Sequence, residues 1–139
     1  NDEPLLAKEV GADGVHLGQT NMPYIEARAL LGNDAIIGLS THNVEQVNVA
    51  NNLHPDYIGM GPVYPTPTKA NPDPVIGIEG LRKMMAVNQL PFVAIGGIDL
   101  TNIMAVKATG AQNICVVRLV NDATDPAKVL EEIKTFYPW

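Results

Sequence analysis

Apolar residues in this chain fall into five short runs, centred near Val15, Ile37, Ile58, Val93 and Cys115. Between the runs, apolar positions recur every three or four residues, the period of a helix with one face turned to a core. The runs predict strands over residues 14–18, 35–39, 56–60, 92–95 and 114–117. Helices are predicted over residues 4–10, with Pro4 in the first turn and Leu5, Leu6 and Val10 on a stripe, and after Met22-Pro23, with Ile25, Ala29 and Leu30 inward. A third follows Ser40-Thr-His-Asn43, read as its cap, and carries Val44, Val47 and Ala50. Further helices span residues 78–87, with Leu81, Met84 and Met85 inward, and begin at Thr101 or Asn102, with Ile103 and Val106. The last opens at Asp125-Pro126 and turns Val129, Leu130, Ile133 and Phe136 inward. Gly11, Gly32 and Gly110 mark helix ends.

Strand and helix therefore alternate throughout. The strands read as apolar runs and not as alternating patterns, which is the habit of parallel sheets covered by helices. The strand centres lie about 22, 21, 35 and 22 residues apart. Repeats this short suit a (β/α)8 barrel or a flavodoxin-like sheet. A weak internal echo, Gly11-Ala-Asp-Gly-Val15 and Gly110-Ala-Gln-Asn-Ile114, sits at the same helix-to-strand joint twice. The chain begins at Asn1, not at methionine, and reads as part of a longer protein. The expected fold is thus α/β: a truncated barrel of about five parallel strands, with residues 1–139 forming one domain.

Composition changes this picture only at its margins. Of 139 residues, 46% are hydrophobic and 17% charged, as in soluble globular proteins, and no stretch approaches a membrane span. A net charge of −6 argues against a nucleic-acid surface. The lone Cys115 excludes an intrachain disulfide and a cysteine-rich zinc site, and suits a reducing, cytoplasmic setting. An anionic substrate would have to be held by local devices.

The one long interval holds the most distinctive stretch, Gly61-Pro-Val-Tyr-Pro-Thr-Pro-Thr-Lys69. Three prolines keep it extended, so it presents the hydroxyls of Thr66 and Thr68 and the ammonium of Lys69 on a stiff arm. Phosphate binding and a turn-capping connector both fit that composition. In either candidate architecture, ligands sit at the carboxyl ends of the strands. Those ends carry Asn1-Asp2, Gly18-Gln-Thr-Asn21, Ser40-Thr-His-Asn43, the loop through Lys69, Gly96-Gly97 and Arg118. One carboxylate, several amides and hydroxyls, two cations and a glycine pair suit a phosphate or pyrophosphate with a metal better than hydrolysis. Asp2 could ligate Mg²⁺ or cap the first helix, and position alone favours the cap. Gly96-Gly97, placed before a helix, could cradle a phosphate or simply turn the chain. Arg118 could fork onto a phosphate or lie solvated. His16 reads as a satisfied interior histidine, and Tyr57 and Tyr64 read as packing residues.

Four motifs, Gly11-Ala-Asp-Gly-Val-His-Leu-Gly-Gln19, Ile37-Gly-Leu-Ser-Thr-His-Asn43, Gly61 to Lys69 as quoted, and Ala94-Ile-Gly-Gly-Ile98, occur in this order. Together they resemble the thiamine-phosphate synthases. The resemblance implies a (β/α)8 barrel and a transferase of thiamine biosynthesis. Such an enzyme joins hydroxymethylpyrimidine pyrophosphate to a thiazole phosphate with Mg²⁺ present, pyrophosphate leaving before the thiazole nitrogen captures the pyrimidine cation. By position, Asn1 would contact the pyrimidine substrate and Asp2 the Mg²⁺. Ser40 would lie at the pyrimidine pyrophosphate, and Lys69 would hold that leaving group. Thr66, Pro67 and Thr68 would bind the thiazole phosphate together with Gly97, Gly96 and the Val117-Arg118 corner.

Three departures accompany the resemblance. Asn21 stands where the family usually has an aspartate as second Mg²⁺ ligand, and Arg118 where serine is frequent. The family's Gln-x-Arg-x-Lys segment, which grips the pyrimidine pyrophosphate, has no counterpart in these 139 residues. The polypeptide alone is therefore expected to be inactive. The alternatives are a thiazole tautomerase-like relative and a non-catalytic phosphate-binding paralogue. The expected partners are small-molecule substrates, with neither nucleic acid nor membrane, and a homo-oligomer is compatible with the sequence.

Overall fold

The computed structural model describes residues 1–68 and 73–138. Its centre is one parallel sheet of five strands, β1 (Gly14–Leu17), β2 (Ile36–Thr41), β3 (Tyr57–Met60), β4 (Phe92–Ile95) and β5 (Ile114–Cys115). The strands lie side by side in sequence order. That order separates the two expected architectures. A flavodoxin-like sheet runs 2-1-3-4-5 and reverses direction, whereas an arc of a (β/α)8 barrel adds each strand beside the last. The helices are α1 (Pro4–Glu9), α2 (Tyr24–Leu31), α3 (Val44–Leu53), α4 (Gly77–Val87), α5 (Ile103–Lys107), α6 (Arg118–Asn121) and α7 (Pro126–Phe136). Among the described residues no helix is long and apolar enough to cross a membrane.

Successive strand residues point to opposite faces, and the two faces differ in chemistry. One face packs on the helices. Val15, Leu17 and Ile37 close on Ala7 of α1 and Ala27 of α2. Ile58, Met60 and Ala94 close on Val47, Leu81, Met84, Ile103 and Val106 of α3, α4 and α5. The other face carries His16, Gly38, Ser40, Tyr57, Gly59, Ile95 and Cys115. The sequence reading of unbroken apolar runs holds for β4 and β5 and needs correction for β1, β2 and β3, which alternate, with glycine and polar residues on the face away from the helices.

Several expected details also differ. Ser40 and Thr41 belong to β2 and do not cap α3; Asn43 does, its side-chain oxygen accepting from the Gln46 N–H at 2.8 Å. On α2 the buried position is Ala27 and Ile25 is exposed, so the inward stripe is Tyr24, Ala27 and Leu31. Leu130 of α7 is likewise exposed, while Ile133 is buried. Glu3, not Asp2, is the N-cap of α1, and it makes no side-chain capping bond. β5 ends at Cys115, and the chain turns at once into the short helix α6, which the pattern did not show. Gly96-Gly97 does not open a helix directly, since α5 begins at Ile103.

The loop after β3 is tied down at its base. Val63 is fully buried in the larger core. Its N–H donates to Ile95 O and the Tyr64 N–H donates to Gly96 O, each at 2.9 Å, so the loop begins as an extension of the sheet along β4. On the return, the Ile76 N–H donates to Pro62 O at 2.9 Å and the Gly77 N–H to Val63 O at 3.2 Å. The Gly61-Pro62 peptide is cis.

Candidate functional site

At the carboxyl ends of the strands the chain surrounds a cavity of about 500 Å³. Its wall includes Asn1 and Asp2, Ser40 and His42 at the end of β2, Thr66, Pro67 and Thr68 of the long loop, and Gly96 and Gly97 after β4. Val117 and Arg118 after β5 complete it. The Thr66 hydroxyl donates to Thr68 Oγ1 at 2.9 Å and accepts from the Thr68 N–H at 3.3 Å. The two hydroxyls thus form a compact pair held by the local backbone. Beside them Gly96 and Gly97 adopt φ of 99° and 62°, a region that side-chain-bearing residues avoid. A Cβ on Gly97 would lie 2.5 Å from Pro65 O, and one on Gly96 would lie 2.4 Å from Pro62 Cβ. The glycine pair lets the long loop lie directly against the end of β4. Asn102 fixes the turn that follows, donating to Gly97 O at 2.9 Å and accepting from the Asp99 N–H at 2.9 Å.

Among the described residues four carboxylates line the cavity, and their environments differ. Asp73 lies 3.2 Å from His42 Nε2, and the His42 Nδ1–H donates to Gly61 O at 2.6 Å. Asp99 accepts from the hydroxyl and N–H of Thr101, and that hydroxyl chiefly holds its carboxyl below the ordinary range. Asp122 pairs with Arg118 Nε at 2.7 Å. Only Asp2 has no partner among the described residues for its carboxylate. Deeper in, His16 Nδ1 lies 2.9 Å from Tyr57 Oη and His16 Nε2 lies 2.9 Å from Ser40 Oγ. Burial pushes the Cys115 thiol up, and burial together with nearby Cys115 raises the Tyr57 phenol.

Residues 1–120 match the family model described as thiamine monophosphate synthase. The chain belongs to the thiamine monophosphate synthase family. It is 47% identical over 133 residues to the thiamine-phosphate synthase of Caldicellulosiruptor bescii, covering 96% of this chain and 61% of that relative. Among solved structures it is similar to the thiamine phosphate pyrophosphorylase of Pyrococcus furiosus, at 38% identity and a TM-score of 0.85. That match covers 97% of this chain and 64% of the other. The 3-hexulose-6-phosphate synthase of Salmonella typhimurium superposes with a TM-score of 0.70 over 96% of this chain and 65% of its own, at 19% identity, a likeness of fold alone. The chain thus spans somewhat under two thirds of the length of these relatives.

Of the residues assigned a role from the family motifs, Asn1, Asp2, Ser40, Thr66, Pro67, Thr68, Gly96, Gly97, Val117 and Arg118 share one cavity wall. Lys69 lies outside the described residues. Asn21 is not part of that wall; its side-chain oxygen accepts from the Gly18 N–H at 2.6 Å, closing the turn after β1. Arg118 is not a free cation, because Asp122 occupies its Nε. The sequence reading missed His42, Asp73 and the hydrogen-bonding role of Tyr57, which it took for packing. No local signal marked Tyr57: it meets His16 only through strand register, Gly38 lying opposite both, so that all three share one row across the sheet.

Among the described residues no three His, Cys, Asp or Glu side chains converge as a ready-made metal cage. Mg²⁺ needs none, since it commonly keeps waters and takes one or two carboxylates plus substrate phosphates. The Asp2 carboxylate on the cavity wall, without a partner among the described residues, is a donor of that kind.

Proposed function

We propose that this chain carries the substrate cavity of a thiamine-phosphate synthase, an enzyme condensing hydroxymethylpyrimidine pyrophosphate with thiazole phosphate. The observation that carries this reading is the meeting of the Thr66-Pro67-Thr68 loop, the Gly96-Gly97 turn and the Val117-Arg118 corner with Ser40 and Asp2 around one cavity. In barrel enzymes the loops after the last two strands are a recurrent phosphate site.

In this account the thiazole phosphate rests on Thr66, Pro67, Thr68 and the glycine turn, and Arg118 offers it the guanidinium N–H groups that Asp122 does not take. The pyrophosphate of the other substrate lies at Ser40 and Lys69, with Asn1 against the pyrimidine. The pyrimidinylmethyl C–O bond breaks and its electron pair leaves with pyrophosphate; the thiazole nitrogen then donates its lone pair to that carbon. Lys69 and the Ser40 hydroxyl stabilise the charge that develops on the departing oxygen, where preorganised donors act most strongly. Asp2 would hold Mg²⁺, with the remaining lone pair of the Asn21 amide oxygen as a neutral second donor. When bound, that ion supplies positive charge at the pyrophosphate. The proposed setting is cytoplasmic, with small molecules as partners.

The test is turnover by the intact protein, given both substrates and Mg²⁺ and followed by ³¹P NMR. Thiamine phosphate and pyrophosphate should appear in equal amounts. Pyrophosphate release without coupled product, or no reaction, would refute the proposal.

A further inference from the structure

The face of the sheet turned away from the helices holds a hydrogen-bonded chain that runs from Tyr57 through His16 to Ser40. Both links measure 2.9 Å, and the two rings sit 5.4 Å apart at 36°. Room for it is built into the sheet. A Cβ on Gly38 would lie 2.2 Å from Tyr57 Cζ and 2.6 Å from His16 Nδ1. Glycine at 38 is therefore a condition for the pair to exist.

With a neutral imidazole, such a chain can be polarised in two ways. In one, the His16 Nδ1–H donates to the Tyr57 oxygen and the Ser40 hydroxyl donates to Nε2. The phenolic hydrogen then has no acceptor among the described residues, and Tyr57, half-buried and off the cavity wall, cannot offer it to a ligand there. In the other, the phenol donates to Nδ1, the Nε2–H donates to Ser40 Oγ, and the Ser40 hydrogen stays available. Ser40 lines the cavity, so its hydrogen can meet a ligand there. Burial keeps the phenol protonated, as this arrangement requires.

We infer that Tyr57 and His16 are positioning residues that hold the Ser40 hydroxyl as a donor aimed at an anionic ligand in the cavity. Tyr57 fixes the His16 tautomer, His16 occupies the acceptor side of Ser40, and Ser40 is left to donate to an oxygen that only accepts. The role of the anion rests on the pyrophosphate reading above; the tautomer does not.

Two measurements on the intact protein test this. The first is ¹⁵N NMR of the His16 ring at about pH 8, above the ordinary histidine pKa of about 6.5. A protonated Nε2 and a bare Nδ1 are expected; a protonated Nδ1, alone or with Nε2, overturns the inference. The second is a double-mutant cycle read by calorimetric binding of inorganic pyrophosphate. Ser40→Ala should weaken binding about ten- to a hundred-fold, and Tyr57→Phe about three- to ten-fold. In the Ser40→Ala background, Tyr57→Phe should cost less than about two-fold, because Tyr57 acts only through Ser40. Additive losses would mean that Tyr57 acts by another route and would overturn the inference while leaving the pyrophosphate site in place. If the wild-type protein binds no pyrophosphate, the anion role of Ser40 fails and takes the proposed substrate with it, whatever the tautomer.

Discussion

Replacing Gly97 by alanine should damage both stability and ligand binding, and the structure sets the scale. At φ of 62°, a residue with a Cβ pays a conformational cost of about 1–2 kcal/mol. The added Cβ would also lie 2.5 Å from Pro65 O and 2.8 Å from Tyr64 Cβ. Neither is the loose end of a flexible side chain, so the long loop must move away from β4. Moving it breaks the Val63-to-Ile95 and Tyr64-to-Gly96 backbone bonds, each worth about 0.5–1.5 kcal/mol net. The expected loss is about 2–5 kcal/mol in all. Gly11→Ala is the control, because Gly11 has φ of 66° and nothing within 4 Å of the position of its Cβ. It should lose only the conformational cost, about 1–2 kcal/mol. Urea unfolding of both variants in the intact protein measures the difference, and the affinity for thiazole phosphate should fall in Gly97→Ala alone. Equal destabilisation by the two substitutions would refute the claim that the loop is pressed onto this turn.

Two other expectations follow from single side chains. Asn21→Asp should tighten Mg²⁺, since a carboxylate can keep the Gly18 N–H bond and bring charge to the ion; an unchanged Mg²⁺ dependence of the rate would show that residue 21 does not face the metal. At Asp56, burial alone would raise the carboxyl, but the Ile37 N–H and the Arg28 guanidinium hold it below its ordinary value. A depressed folded-state pKa contributes stability above the unfolded value, and that contribution is lost as pH falls through the folded one. The stability advantage of wild type over Asp56→Asn should therefore be greatest near neutrality and shrink below about pH 4; a constant difference across a pH series of urea melts would contradict this.

The element order was legible because strand runs and helical stripes differ in period. Gly32, Asn102 and Asp125-Pro126 punctuated the chain where the structure does, with Asp125 accepting from the Lys128 N–H at 3.1 Å. The helix face of α2 was misjudged for a reason of size. Ala27, the residue that packs against the sheet, is smaller and less conspicuous than the exposed Ile25. α6 was invisible because four residues are too few to show a helical period.

The cavity wall was more legible than its inner workings. Loops at strand ends announce themselves by glycine, proline and hydroxyl residues, and a barrel brings all such ends to one side. Partnerships across the sheet depend on register, which a local pattern does not encode. The links from His16 to Tyr57 and to Ser40 span 41 and 24 residues. The contact from His42 to Asp73 likewise joins the end of β2 to the far limb of the long loop. Asp122 is four residues beyond Arg118 on a helix too short to predict, so its claim on that guanidinium could not be read in advance.

Under the proposed function two anion sites share one cavity, one built on Thr66-Pro67-Thr68 and one on Ser40. Steady-state kinetics of Thr68→Ala and Ser40→Ala in the intact protein, varying each substrate in turn, tell the two sites apart. A lost hydrogen bond to a charged phosphate costs on the order of 1.5–3 kcal/mol. Thr68→Ala should therefore raise the KM for thiazole phosphate about ten- to a hundred-fold and leave that for the pyrimidine pyrophosphate within about two-fold. Ser40→Ala should show the opposite pattern. If both variants raise both values alike, or lose only thermal stability, the cavity does not hold two separate anion sites and the long loop is a connector.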